Sequence, residues 1–570
     1  MQKKSLSRTF ELPSLIRKAH STFSPFEKVL LFVFAVLLFG STLGILGGLN
    51  SMLVSDIPAH GGSHTEGIIG FPRFINPLLA TTDADRDLSM LVYSGLLKAR
   101  PDGSLAPDLA QRFEVSEDGL TYHFFIRDDA VFHDGTPVTA DDVLFTVSRA
   151  QDPALKSPRR ASWDGVAVEK VSEKEVVFTL TRPYAPFLEN ATLGILPSHL
   201  WKEVEIEQFP FSQLNTEAIG SGPYRITDIK RNKSGVPERY TLSSFAHYTL
   251  GEPYIEEITL SFYSNEDDLI AALKNGDVES VNSIAPAKAA ALTGYTIKTV
   301  PLPRTFGIFF NQNQAPALAN IEVRKALSLA TDRERIVREV LNGYGIAINT
   351  PIPPGLIARE KVSVVPEQDL EEAQAVLERN GWVRNEETGI WSSKDDGPLS
   401  VSISTSNVPE LKAAAQIVME NWLALGADVH LQIFEPSDLN VNSIRPRKYD
   451  ALLFGEIIGR TLDLFAFWHS SQRNDPGLNV ALYANITADR LLEEGRVAQD
   501  RKERDALYND FEEEVANDQA AVFLYAPEFI YVTPERIRGV TLGTVTVPAD
   551  RFLSVQEWFV ETDQVWHFFK

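Results

Sequence analysis

The chain has 570 residues, 44% hydrophobic and 23% charged, and its 54 basic against 77 acidic residues leave a formal net charge of −23. At roughly 150 residues per domain this predicts three to four compact units, and the composition excludes a disordered or collagen-like chain. The acidic balance repels phosphate backbones, so no nucleic-acid partner is expected. Zero cysteines exclude disulfides, cysteine-ligated zinc, iron–sulfur clusters, a thiol nucleophile and a lipidated N-terminal cysteine.

From Val29 to Leu49 there are 21 consecutive residues without a charge, long enough to cross a bilayer core of about 30 Å as a helix. The run exceeds the 7–15 apolar residues typical of a cleaved signal peptide and no convincing small-x-small site follows it, so residues 29–54 read as an uncleaved anchor. Residues 1–28 carry Lys3, Lys4, Arg8, Arg17, Lys18 and Lys28 against Glu11 and Glu27. Their net of +4 keeps this end cytoplasmic and places everything beyond Ser55 outside. Gly40, Gly44 and Gly48 recur every fourth residue, as in closely packed helix pairs, although glycine is common in membrane helices anyway.

Asp56 to Gly70 is rich in Gly, His and Pro and reads as a linker. Beyond it strands and helices alternate. Gly119–Arg127 and Glu175–Leu180 read as strands around a helix at Asp141–Ala150. Arg239–Tyr248 and Tyr254–Tyr263 follow as strands, and Asn265–Asn275 as a helix stopped by Gly276. Near Asn311 the periods turn helical: Ile321–Leu341, Gln368–Asn380 and Val408–Leu425, with strands at Leu399–Ser404, Asp428–Phe434 and Asp450–Phe454. Thr487–Asn517 reads as one long helical stretch and Ala521–Val532 as a strand pair broken by Pro527. The pattern predicts an α/β fold of two lobes with a more β-rich insertion.

Signatures of common hydrolases and nucleotide-binding proteins are missing from the sequence. Asp83, Asp85 and Asp87 share the spacing of a calcium loop, but Leu88 and Ser94 occupy its glycine and glutamate positions, so a solvated helix start is the better reading. His133, in F-H-D-G-T-P, reads as a turn residue and His123 as a packed or edge residue. No cofactor and no catalysis are expected, although an unfamiliar catalytic constellation stays open.

A set of segments is specific in combination. L-V-Y-S-G-L at Leu91–Leu96 precedes S-E-D-G-L-T-Y-H-F at Ser116–Phe124 and F-H-D-G-T-P-V-T-A-D-D-V at Phe132–Val143. I-L-P-S-H at Ile195–His199, G-S-G-P-Y-R-I at Gly220–Ile226, F-F-N at Phe309–Asn311 and E-V-R-K-A-L-S-L-A-T-D-R at Glu322–Arg333 follow. Their order and spacing resemble the family 5 extracytoplasmic solute-binding proteins, the peptide-, dipeptide- and nickel-binding components of ABC importers. The resemblance runs from about Gly67 to the C-terminus. It implies a two-lobed periplasmic-binding-protein-like fold of type II behind the transmembrane helix. Lobe 1 would take residues 71–310, with an inserted subdomain at about 98–190, lobe 2 residues 311–532, and residues 533–570 would return to lobe 1. The implied role is capture of a small-molecule ligand, a peptide first of all, for delivery to permease and ATPase subunits, with no chemistry performed.

In peptide-binding members an acidic side chain of the second lobe pairs with the ligand's α-ammonium, and backbone groups bond the peptide as an added strand. The matching run is Tyr449–Trp468, which has Thr461 and Leu462 where Asp and Pro are common in the family. Asp463 is the first candidate for the ammonium and Glu456 the second, with capping of the following helix an alternative for Asp463. Phe454, Gly455 and Trp468 are candidates for the cleft wall, or core, and Arg460 for a ligand carboxylate, or a surface acid. Alternatives in ligand class are a nickel chelate, for which His469 is noted, an oligosaccharide or another small solute. A membrane-tethered hydrolase and a receptor without transport are the remaining readings.

Overall fold

The structure is a computed structural model that describes residues 23–359 and 364–566. The expected basic segment therefore lies outside the described residues, apart from Phe23–Lys28 at its end. The chain divides into two compact units, one built from residues up to Ala59 with those from Glu561 onward, the other from His60–Val560.

In the first unit the helix Pro25–Leu53 begins at Ser24, whose amide donates to Glu27 Oε2 at 2.8 Å. Its 22-residue stretch Pro25–Leu46 has a mean hydropathy of 2.7, long and apolar enough to cross a membrane. Ser41 and Thr42 return their hydroxyl protons to the carbonyl of Leu38, which leaves no free donor on an apolar face. After the helix, Val54–Ala59 pairs antiparallel with Glu561–Trp566.

In the second unit the central sheet runs Asp428–Phe434, Ser400–Ser406, Ala451–Ile457, Arg304–Phe310, Ala521–Thr533, Ser280–Asn282, Ser63–Ile69, Glu257–Tyr263, Pro237–Ser244, Tyr224–Arg231. The strand Ala521–Thr533 joins its two halves. Residues Ala521–Tyr525 bond to Phe306–Phe309, and Glu528–Thr533 bond to Thr296–Pro301. In the later half, side chains of Ala451–Ile457 alternate between two apolar layers: Ala451 and Leu453 face one, Leu452 and Phe454 the other. A separate antiparallel sheet, Ala110–Val115, Thr121–Ile126, Glu175–Thr179 and Ala167–Ser172, forms the β-rich insertion with the helix Ala140–Gln151. Asp142 begins that helix by accepting from the Thr139 amide at 2.8 Å.

Several resembling segments turn out to brace one another. His133 Nε2 donates to the Gly222 carbonyl at 3.1 Å, while its Nδ1 accepts from the Gly220 amide at 3.4 Å. Burial pushes His133 down to about 4, so the ring is neutral and keeps both roles. A Cβ on Gly220 would lie 2.1 Å from the Val92 carbonyl oxygen, so only glycine fits this junction. Arg324 donates to the carbonyls of Leu318, Asp518 and Gln519, and Arg333 Nε to that of Phe523. Both arginines of E-V-R-K-A-L-S-L-A-T-D-R are thus structural.

Asp56–Gly70 is not a linker. Val54–Ala59 and Ser63–Ile69 are strands, and the second lies inside the sheet, parallel to Glu257–Tyr263 and Ser280–Asn282. Its polar character is spent internally. Fully buried Glu66 accepts from Arg551 Nε at 2.7 Å, Tyr531 Oη at 3.0 Å and Asn282 Nδ2 at 3.0 Å. Asp83–Asp87 is a helix start as expected, but only Asp83 is solvated. Asp85 accepts from the Arg73 and Phe74 amides, and buried Asp87 takes Nη1 and Nη2 of Arg551 at 2.8 and 2.6 Å.

The long helical stretches break in two: Ile321–Leu329 and Arg333–Glu339, then Ile486–Val497 and Arg501–Asn517. Each second helix starts at an aspartate, Asp332 or Asp500, whose carboxylate takes a first-turn amide that an unbroken helix would have used. Ala521–Thr533 is one strand despite Pro527, because Pro527 sits where the partner strand changes and its carbonyl accepts from the Leu302 amide at 2.8 Å. The halves therefore meet at Pro301–Arg304 and Ala526–Glu528 rather than at 310/311 and 532/533. Composition follows helix content, whereas the junction follows which strand bonds to which.

Replacing Arg551 with Met strands two buried carboxylates and is expected to cost about 3–5 kcal/mol. A lower urea midpoint in tryptophan fluorescence checks it, and an unchanged midpoint contradicts it.

Candidate functional site

Where the halves of the sheet meet, residues from both sides line an open pocket of about 370 Å³, at the lower end of the roughly 300–1,000 Å³ of small-ligand sites. Pro101, Pro301, Gly543 and Thr544 line it from the earlier half, and Pro303, Pro354 and Leu356 from the later one. Proline has no N–H and a fixed φ, so these walls are stiff and poor in donors. A smaller cavity of about 60 Å³ shares Gly355, Leu356 and Thr544 with it and is lined by Arg460, Arg501, Arg504 and Asp505. The combination offers an apolar chamber with a charged end.

Side chains also bridge the halves directly. Arg460 donates through Nη1 to Glu189, and its Nη2 lies 2.9 Å from Asp550. Burial disfavours the Arg460 charge, but Asp550 and Glu189 outweigh it and hold the guanidinium above its usual pKa. Asp463 Oδ2 accepts from Tyr184 Oη at 3.2 Å and from Arg496 Nε and Nη2 at 3.1 and 2.9 Å. The Ala185 amide donates to the Arg496 carbonyl at 3.0 Å.

The six residues singled out from sequence thus separate. Arg460 lines the small cavity, with its charge held by two acids from the other half. Asp463 gives Oδ2 to Arg496 and Tyr184 and Oδ1 to the Phe465 amide at 3.2 Å, so it is both a helix-entry acceptor and a bridge. Trp468 does not wall either cavity. It is fully buried among Phe309, Phe511 and Phe523, and Phe454 packs against the same core. A Cβ on Gly455 would lie 2.5 Å from the Phe306 ring, so the glycine admits that ring. Glu456 is 1% exposed, accepts from Trp468 Nε1 at 3.0 Å and leaves Oε1 without a partner among the described residues. His469 stacks on Phe465 and lies 3.3 Å from Glu493, and it lines neither cavity. What sequence reasoning missed are the walls Pro101, Pro354, Leu356, Gly543 and Thr544. They come from separate loops, and their only local signal is Pro and Gly content.

Burial pushes the Glu456 carboxyl up to about 8, only partly offset by the Trp468 N–H. A group raised in the folded state supplies stability at low pH and loses it as pH rises through that value. Stability of the wild type relative to Glu456→Gln should therefore fall from about pH 4.5 to about pH 8. Unfolding temperatures of both proteins across that range test this, and a constant difference contradicts it.

Comparison with known proteins places these observations. Residues 104–477 match the model of the bacterial extracellular solute-binding proteins, family 5 Middle. The oligopeptide-binding protein AppA of Bacillus subtilis is 29% identical over 513 residues, covering 88% of this chain and 92% of AppA. The dipeptide-binding protein of Escherichia coli is 24% identical, covering 84% and 91%. The solved structure of B. subtilis AppA in complex with a nonapeptide superposes with a TM-score of 0.65 at 28% identity, covering 89% of this chain and all of that one. The fold is accordingly that of a type II periplasmic binding protein with two α/β lobes, and the chain belongs to family 5 of the bacterial extracellular solute-binding proteins.

Proposed function

We propose that this chain is the membrane-tethered receptor of an ABC importer and that it captures peptides between its two lobes without altering them. The observation that carries the reading is the cavity at the lobe junction, walled from both sides. Relatives bearing the names oligopeptide-binding and dipeptide-binding protein, aligned over most of their length, support peptide as the ligand class. In the proposed cycle the lobes swing about the two strand segments at Pro301–Arg304 and Ala526–Glu528. Closure removes water and strengthens each charge-assisted contact to the ligand. Mass spectrometry of small molecules released from freshly purified, denatured protein tests this. Recovery of peptides is expected, and their absence together with no thermal shift from peptide pools overturns it.

The bridges among Arg460, Glu189 and Asp550, and among Asp463, Tyr184 and Arg496, are proposed to form as the lobes close, so that part of the ligand's affinity is the free energy of closure. Arg460→Met should weaken peptide binding by about 2 kcal/mol and enlarge the ligand-free protein in small-angle scattering. Unchanged affinity and size would contradict that role.

The apolar helix is proposed to remain as an anchor with the binding lobes outside the cell. Intact mass of protein extracted from membranes should include the N-terminal segment, and a mature chain starting beyond Leu49 would make the helix a signal sequence.

A further inference from the structure

The helix Pro25–Leu53 runs without a loop into Val54–Ala59, and that strand pairs antiparallel with Glu561–Trp566. The register sets Val54 opposite Trp566 and Ala59 opposite Glu561, so the second strand ends where the helix does. Opposite residues of such a pair are about 5 Å apart. Both strands belong with the helix to the first compact unit, and among the described residues no third strand joins them. A two-stranded pair alone is marginally stable in water, so a further contact would stabilise it.

The depth at which the second strand ends follows from the helix. A bilayer core of about 30 Å takes roughly 20 helical residues, which, counted from Lys28, the last charge before the apolar run, reach Gly48. Val54 then lies about 9 Å beyond the hydrocarbon, near the outer rim of the headgroups. Trp566 stands beside it and is followed in the sequence by His567, Phe568, Phe569 and Lys570, which lie outside the described residues. Three of the residues 566–570 are aromatic, against 10% of the chain, and none is acidic, whereas Glu561 and Asp563 mark the other end of the strand. At about 3.3 Å per extended residue, the four that follow Trp566 span roughly 13 Å, enough to meet the hydrocarbon edge from there.

We infer that residues 566–570 are a second membrane contact, which sets its aromatic rings at the boundary of headgroups and acyl chains beside the point where the helix leaves the bilayer. The inference rests on the reading of the helix as an anchor. Aromatic rings are favoured at that depth, and a lysine there keeps its ammonium among the headgroup phosphates. With one attachment on each of two paired strands, the pair is held at two points and loses the swivel that a single tether allows.

Tryptophan emission of the full chain, reconstituted in phosphatidylcholine vesicles with and without bromine on the acyl chains, tests it. The chain has eight tryptophans, and those other than Trp566 are buried within His60–Val560, so the emission lost in Trp566→Phe reports this run alone. Bromine should quench that difference at least twofold, and acrylamide added from the aqueous side should quench it little. With Phe568→Ser and Phe569→Ser together, which leave both paired strands unaltered, the bromine effect should fall to less than half and the acrylamide effect should rise. If Trp566→Phe fails to fold, the same comparison made on the total emission of wild type and the double serine variant decides. A signal quenched by acrylamide alone, or by neither agent because the run packs on protein, overturns the contact. If such a chain still floats with the vesicles after an alkaline wash, the anchor stands. A chain recovered without residues up to Leu49, whose Trp566 is nonetheless quenched by bromine, upholds the contact and overturns the anchor. A chain that neither floats nor shows bromine quenching overturns both.

Discussion

The thirteen-residue strand Ala521–Thr533 is hydrogen-bonded in both lobes, through Ala521–Tyr525 in one and Glu528–Thr533 in the other, with Pro527 at the change of partner. Beside it the chain crosses again at Pro301–Arg304. Two adjacent extended segments thus join lobes that each have their own apolar layers. Each lobe is stiff because its core is close-packed, and the joint is narrow because so few residues belong to both. The chamber and the Arg460 bridge both follow from where this joint lies, since each is assembled from residues on its two sides.

Charge is used differently in the two lobes. Arg551, Glu66 and Asp87 form a closed set inside lobe 1 in which every charge is met, and they fix Ser63–Ile69 and the helix Asp83–Val92 against the 3₁₀ segment Pro548–Glu557. In lobe 2 Glu456 has no cation beside it among the described residues and is held neutral near pH 7 by burial beneath Trp468. Between the lobes Arg460 meets Glu189 and Asp550, and Asp463 meets Arg496 and Tyr184. A network that is complete within a lobe defines structure, whereas pairs that cross the junction tie one lobe to the other.

Much of the scaffold was legible in the sequence. Regular elements such as Asp428–Phe434 and the helix Glu266–Asn275 with its Gly276 stop follow from period, caps and glycine at positive φ, all of which act within a few residues. The candidate site was legible only in part. Arg460 and Asp463 were picked out and both sit at the junction, yet their partners Glu189, Asp550, Tyr184 and Arg496 lie tens to hundreds of residues away. Trp468 and Glu456 were drawn toward the cleft by the run they belong to, but strand alternation points Glu456 into the layer that buries Trp468.

By itself the sequence determined the apolar N-terminal helix, the absence of thiol chemistry, the alternation of strands and helices and the membership in a binding-protein scaffold, because each depends on composition or on residues near one another. Only the tertiary structure decided that a His- and Glu-bearing strand lies buried, where the two lobes join, which loops wall the chamber and which acids Arg460 meets. Those depend on pairings between distant segments, and a side chain's charge has no meaning for binding until the fold has fixed what faces it.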